Sequence, residues 1–207
     1  MSDSPNKRDQ LLQRFDFAKK QNLDLKEELE QYATDHDAFN APFMEGSTFT
    51  AVLSTLKDER DLRGFDAVKG WIHATAHTAD LLAALVRHPS FAQQDQAAVL
   101  RAIWRRLATA DVVFAFSEQD RLANAIAAMA ERQDFVEAGF ESWLHEMDET
   151  DQSVWRENPP KMAGLERFEN DTYFLNAFVA RLSQSEISAA AEEAKKAALK
   201  SLRRRGS

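Results

Sequence analysis

Residues Asp58–Leu82 read DERDLRGFDAVKGWIHATAHTADLL, and this stretch decides the fold. Arg63-Gly64 reads as a turn. A long helix is then predicted from about Ala67 to His88, where Pro89 stops it, because proline cannot continue a helical hydrogen-bond ladder. At about 100° per residue, Trp71, Thr75, Ala79, Leu82 and Val86 share an arc about 80° wide. That arc is read as the core face, with Trp71 buried at its start. Lys69, His73, His77, Asp80 and Arg87 gather on the opposite side. Helical spacing therefore carries both the packing and a stripe of polar chemistry.

The same periodicity runs outward in both directions. Asn6–Leu23 and Leu25–Tyr32 read as helical, and the segment from Asp35 to Gly46 as a loop. Ser47 opens a helix to about Glu59. Phe91–Leu107 forms another, with Val99, Leu100, Ile103 and Trp104 on its buried side. The run Val112–Phe116 (VVFAF) is strand-like but has no visible partner strand, so it reads as a buried linker. Ser117 and Asp120 give an S-x-x-D helix start reaching about Arg132. Phe135–Met147 is helical, Glu149–Lys161 a polar loop, and Met162–Leu182 helical again. A last helix starts at Ser185 and frays into a basic tail over 185–207. The expected count is eight to ten helices in a single domain over 1–207.

Composition agrees with this picture. The 207 residues include only 6 Gly and 5 Pro, so turns are few and helices long. With 44% hydrophobic and 29% charged residues the chain can build a core. There is no cysteine, which excludes disulfides, thiolate metal sites and thiol nucleophiles. No apolar run is long enough to span a membrane, and the polar N-terminus has no signal-peptide core, so a cytoplasmic location is expected. The net charge of −8 disfavours nucleic acid as a partner. Basic residues do gather in the tail, where Ala191–Ser207 holds six Lys/Arg against two Glu. Arg101, Arg105 and Arg106 read as a solvated helix face. No Gly-rich phosphate loop, G-x-S-x-G or triad pattern is present.

His73 and His77 are neighbours at i, i+4, with Asp80 a further i+3 along. Three readings of this stripe stay open. His73, His77 and Asp80 could hold a divalent metal as a two-His-one-carboxylate set. Against this, Ala74 stands where an H-E-x-x-H motif needs its glutamate, and no second His-rich motif follows. Alternatively, Arg63, Lys69, His73, His77, Asp80, Asp120 and Arg121 could form a pocket for a small molecule or protein. Or Asp80 and Arg121 could simply pair to link neighbouring helices. Glu118 and Asp120 read as helix-capping acids, with a general base or a further metal ligand as the functional alternative.

The segment resembles the signature of an uncharacterised bacterial family, domain of unknown function 2785, in which a D-x-R-G turn leads to G-W-x-H-A-x-A-H-x-A-D. Here the matching residues are Asp61, Arg63, Gly64, then Gly70, Trp71, His73, Ala74, Ala76, His77, Ala79 and Asp80. Thr78 departs from the glycine usual after the second histidine. Weaker matches are Glu118–Ala123, similar to an E-D-x-R-L-A stretch, and Asn170 ahead of Phe174-Leu175. The likeness covers roughly residues 45–183. It implies an all-α, HEAT-like α-solenoid of antiparallel helix pairs and implies no activity. The leading functional expectation is a binding or interaction module using the His/Asp/Arg pocket. The alternative is a metal-dependent hydrolase or lyase with His73, His77 and Asp80 as ligands and Glu118 or Asp120 as base.

Overall fold

Apolar residues recurring every three or four positions bury at least one stripe of each helix, and seven α-helices result among the described residues. The computed structural model describes residues 47–184 and 186–205. The readings over Asn6–Leu23, Leu25–Tyr32 and the loop ending at Gly46 lie outside them. The helices are α1 (Ser47–Asp58), α2 (Ala74–Arg87), α3 (Gln96–Thr109), α4 (Glu118–Ala130), α5 (Glu137–Val154), α6 (Met162–Leu182) and α7 (Ala189–Arg205). A 3-10 turn, Gln93–Asp95, leads into α3. Two strands of two residues each, β1 (Phe65–Asp66) and β2 (Gly70–Trp71), pair antiparallel with Phe65 opposite Trp71.

Each helix packs on the helix two places further along. One row runs α1, α3, α5, α7 and the other α2, α4, α6, with α6 also lying against α7. The core fills the space between the rows. Phe140 stands against both Trp143 and Phe178, and Trp143 meets Phe174 edge-on. Helix α2 is enclosed on every side, with all residues from Ala74 to Val86 buried. Its five alanines allow this, since small side chains let neighbouring helices approach closely.

Several boundaries differ from the sequence reading. The long helix begins at Ala74 and not near Ala67, because the residues before it form a hairpin. Asp66 Oδ1 accepts the backbone N–H groups of Val68 and Lys69, each at 2.9 Å, which closes the turn. Gly70 then adopts a φ of +79°, open to glycine at no steric cost. Trp71 ends β2 and is 50% exposed, so it is not part of the core face. Ser117 precedes α4 but does not cap it; its φ is 68° and its side chain makes no capping bond. Helix α5 runs on to Val154, through half of the expected loop.

The linker Val112–Phe116 buries only Phe114, and Val112, Val113 and Phe116 are exposed. Arg106 is buried, not solvated. Its guanidinium donates to the Leu56 and Lys57 carbonyls, both at 2.6 Å, and so satisfies the end of α1. The basic end of α7 is not frayed, since Arg205 turns inward onto Asp148 and Asp151 of α5 and the exposed Arg204 reaches Asp148 from the surface.

Candidate functional site

The hairpin sets one wall of the site. Arg63 donates to both carboxylate oxygens of Asp61 at 2.8 Å and to Asp66 at 2.6 Å. This bracket holds Asp61 below the usual carboxylate range, chiefly through its hydrogen bond with Arg63. The backbone N–H groups of Lys69 and Val68 do the same for Asp66. The D-x-R-G turn is therefore a self-contained clamp. Gly64 is required because a Cβ there would lie 2.3 Å from Glu118 Oε1 and 2.4 Å from Phe116 Cβ. Its carbonyl accepts the Ile72 N–H at 2.9 Å, extending the hairpin pairing toward α2.

Two residues with positive φ each immediately precede a helix. His73, at φ 46°, precedes α2, and Ser117, at φ 68°, precedes α4. Non-glycine residues rarely occupy this region, and they concentrate where surrounding structure holds a functional geometry. The result brings His73 Nε2 to 4.0 Å from Glu118 Oε1. Glu118 is buried, and its other oxygen accepts the Phe116 N–H at 2.8 Å. Its Oε1 has no hydrogen-bond partner among the described residues. The Trp71 ring lies 4.6 Å from the His73 ring, and His73 and His77 meet edge-on at 6.1 Å.

Three exposed aromatics crown this arrangement. Phe65 meets Trp71 at 5.0 Å and Phe116 at 6.3 Å, and Trp71 meets Phe116 at 5.9 Å. Beside them a groove of about 640 Å³ opens between the chain at 60–65 and the linker at 111–116, with Glu118 at its floor. Large aromatic side chains left in water beside a concave surface are the usual mark of a binding face.

The expected pocket is thus brought together in part. His73 and His77 are adjacent, and Asp80 is joined to Arg121 across α2 and α4. Arg63 is committed to the hairpin clamp, and Lys69 sits exposed in its turn. Asp120 faces another groove, shared with Ser117, Gln119 and Tyr173. No group of three or more histidine and carboxylate side chains among the described residues is placed to hold a metal ion. Phe65 and Phe116 escaped the sequence reading because their neighbours suggested a helix and a buried linker.

A second polar cluster also went unread. Asp148 and Asp151 of α5 meet Arg204 and Arg205 of α7, Arg167 of α6 lies 3.5 Å from Asp151, and Ser201 donates to Asp148. Asp171 is fully buried beside them. Burial, and then the Asp151 carboxylate, push Asp171 well above the usual range, with Arg205 and Arg167 opposing. A signal existed: Asp148 and Asp151 each fall four residues after a buried apolar residue, Leu144 and Met147.

The sequence profile of a family described as Protein of unknown function (DUF2785) matches residues 33–180. The chain belongs to this family. No curated protein and no solved structure matches it. The DUF2785 match spans the hairpin, the start of α2, the linker and the start of α4, which together make the site just described. No helix of the described residues is long and apolar enough to cross a membrane.

Proposed function

We propose that this DUF2785 protein is a binding or interaction module. Its recognition surface is the aromatic crown of Phe65, Trp71 and Phe116 above His73, His77 and Glu118. The observation that carries this is the exposed aromatic cluster, with Trp71 lying against His73, beside an open groove. Exposed aromatics supply contact area, while the partly enclosed imidazole and buried carboxylate give direction to polar groups. Asp80 and Arg121 brace the two helices that carry the site. The helix rows support a HEAT-like α-solenoid as the scaffold, because helices two apart in sequence are stacked neighbours. A cysteine-free chain also suits a reducing compartment such as the cytoplasm.

The metal-dependent hydrolase or lyase reading would need His73, His77 and Asp80 to converge on one ion. Asp80 is instead engaged by Arg121.

The test is a thermal-shift screen of untagged protein against small metabolites and short peptides, repeated with Trp71→Ala and His73→Ala. Ligands that raise the wild-type melting temperature and lose that effect in both variants support the reading. Ligands indifferent to both substitutions would move the binding surface elsewhere. One equivalent of divalent metal by elemental analysis, lost in His77→Ala, would favour the rival.

A further inference from the structure

The linker Val112–Phe116 (VVFAF) carries four residues of strong strand character, yet pairs with no strand among the described residues. Side chains take the place of a neighbour along one edge. Asn170, fully buried on α6, donates Nδ2–H to the Val112 carbonyl and accepts the Phe114 N–H, each at 2.9 Å. Bonding a carbonyl and the N–H two residues on is what one residue of a parallel strand does. Gln119 then donates to the Phe114 carbonyl, and Glu118 accepts the Phe116 N–H. The edge formed by Val112, Phe114 and Phe116 is therefore occupied.

The opposite edge is not. Val113 and Ala115 are exposed, and no group among the described residues hydrogen-bonds their N–H or C=O. An edge strand with free main-chain groups and apolar flanks is a template for adding another strand. Grooves of about 640 and 690 Å³ lie on the two sides of this linker and could take alternate side chains of an added chain. Asp111 lies at one end of the linker and Asp120 just beyond the other. Both are exposed and lack an ion-pair partner among the described residues, and the chain as a whole carries −8.

We infer that the free edge at Val113 and Ala115 binds an extended peptide segment with apolar residues at alternate positions and basic residues at its ends. The peptide pairs by main-chain hydrogen bonds, seats its apolar side chains beside Phe65 and Phe116, and meets Asp111 and Asp120 with its cations. This rests on the binding-module reading and names the partner class for the same surface.

The probe is the blocked heptapeptide acetyl-KVTVTVK-amide, titrated into the full-length ¹⁵N-labelled chain. Binding should slow hydrogen exchange at the Val113 and Ala115 amides. It should weaken at least about tenfold when alternate peptide nitrogens are methylated, the loss expected for two main-chain hydrogen bonds. Ala115→Pro, which removes one donor from the free edge and none from the Asn170 edge, should weaken it similarly. If that variant fails to fold, the methylated peptide decides. The acidic peptide acetyl-EVTVTVE-amide should bind more weakly.

Three results would overturn the inference. One is no binding at millimolar peptide. Another is equal binding of the methylated form, or binding without protection of the two amides. The third is protection that grows with protein concentration before peptide is added, which would assign the edge to a second copy. Each leaves the binding-module reading to the metabolite screen with Trp71→Ala and His73→Ala, so the two can fail separately.

Discussion

Arg121 of α4 donates to the carboxylate of Asp80 on α2, an ion pair in which the acid is 3% exposed and the arginine 23%. Removing one partner strands a charge that water can scarcely reach. Arg121→Ala is expected to cost about 3 kcal/mol, near the lower end for breaking a buried pair, because the arginine keeps some solvent contact. Asp80→Asn combined with Arg121→Gln should recover part of the loss. Urea denaturation of the single and double variants measures the coupling, and additive losses would show that the pair contributes nothing of its own.

Trp71 separates surface from core. It is 50% exposed and meets Phe65 and Phe116 edge-on and His73 at a tilt, so Trp71→Ala should cost about 1–2 kcal/mol. Trp143, buried between Phe140 and Phe174, should cost about 3–5 kcal/mol on the same change. Thermal melts of the two variants side by side check the contrast. Equal losses would mean that the hairpin is as integral to the fold as the helices.

Asp171 makes stability depend on pH in a definite direction. Its folded pKa lies above its unfolded value, so the stability it contributes is full below the ordinary carboxylate range. That contribution is lost as pH rises through the raised pKa, because the unfolded chain ionises first. Asp171→Asn should therefore raise the melting temperature at neutral pH and flatten its decline with rising pH. Below the carboxylate range the variant and wild type should converge. A variant that melts lower at pH 7 than wild type would show that the carboxylate is charged and held by Arg167 and Arg205.

The arginine run of α7 divides by position. The Arg205 side chain is 5% exposed and paired with Asp151, itself 2% exposed. Arg205→Ala should cost about 3–5 kcal/mol, since it leaves a buried carboxylate uncompensated. Arg203, exposed two residues earlier, should be replaceable within about 0.5 kcal/mol. Chemical denaturation of both variants tests the claim, and similar effects would return the tail to the role of a solvated basic segment.

Gly64→Ala is expected to lose about 1–3 kcal/mol, the usual cost of forcing an extra carbon into packed space. The new Cβ would press on Glu118 and Phe116, so NMR shifts should change at the His73 ring and in the linker. A variant of unchanged stability and spectrum would mean that the hairpin can back away from α4.

Helix content was readable because period-3.6 burial is a property of single elements; α6 runs Met162–Leu182 as its pattern predicts. The start of α2 was not, because Trp71 fits a helical arc with Thr75 and Ala79 while Asp66 and Gly70 demand a turn. Local hydrogen bonds to Asp66 settled that contest. The adjacency of His73 and His77 followed from spacing. The approach of Glu118 to His73 did not, since it depends on two left-handed residues, His73 and Ser117, which are uncommon for their types. The Asp80–Arg121 pair was one of three readings that the spacing left open; the burial that demands it was not legible, because Asp80 lies opposite the predicted core face and α2 is enclosed on that side too. The inward turn of Arg205 was not, because its acids lie on a helix more than fifty positions away in the chain.

Helix α2 is walled in along its whole length, and this limits how the surface above it can change over evolutionary time. Any larger side chain between Ala74 and Val86 must push a neighbour aside, so that stretch can hardly be a source of new specificity. Novelty has to enter at the rim. Phe65, Val68 and Phe116 are exposed, so they can be exchanged while the rod beneath them stays fixed. Diversifying libraries should therefore find viable sequences at the rim and almost none along the rod.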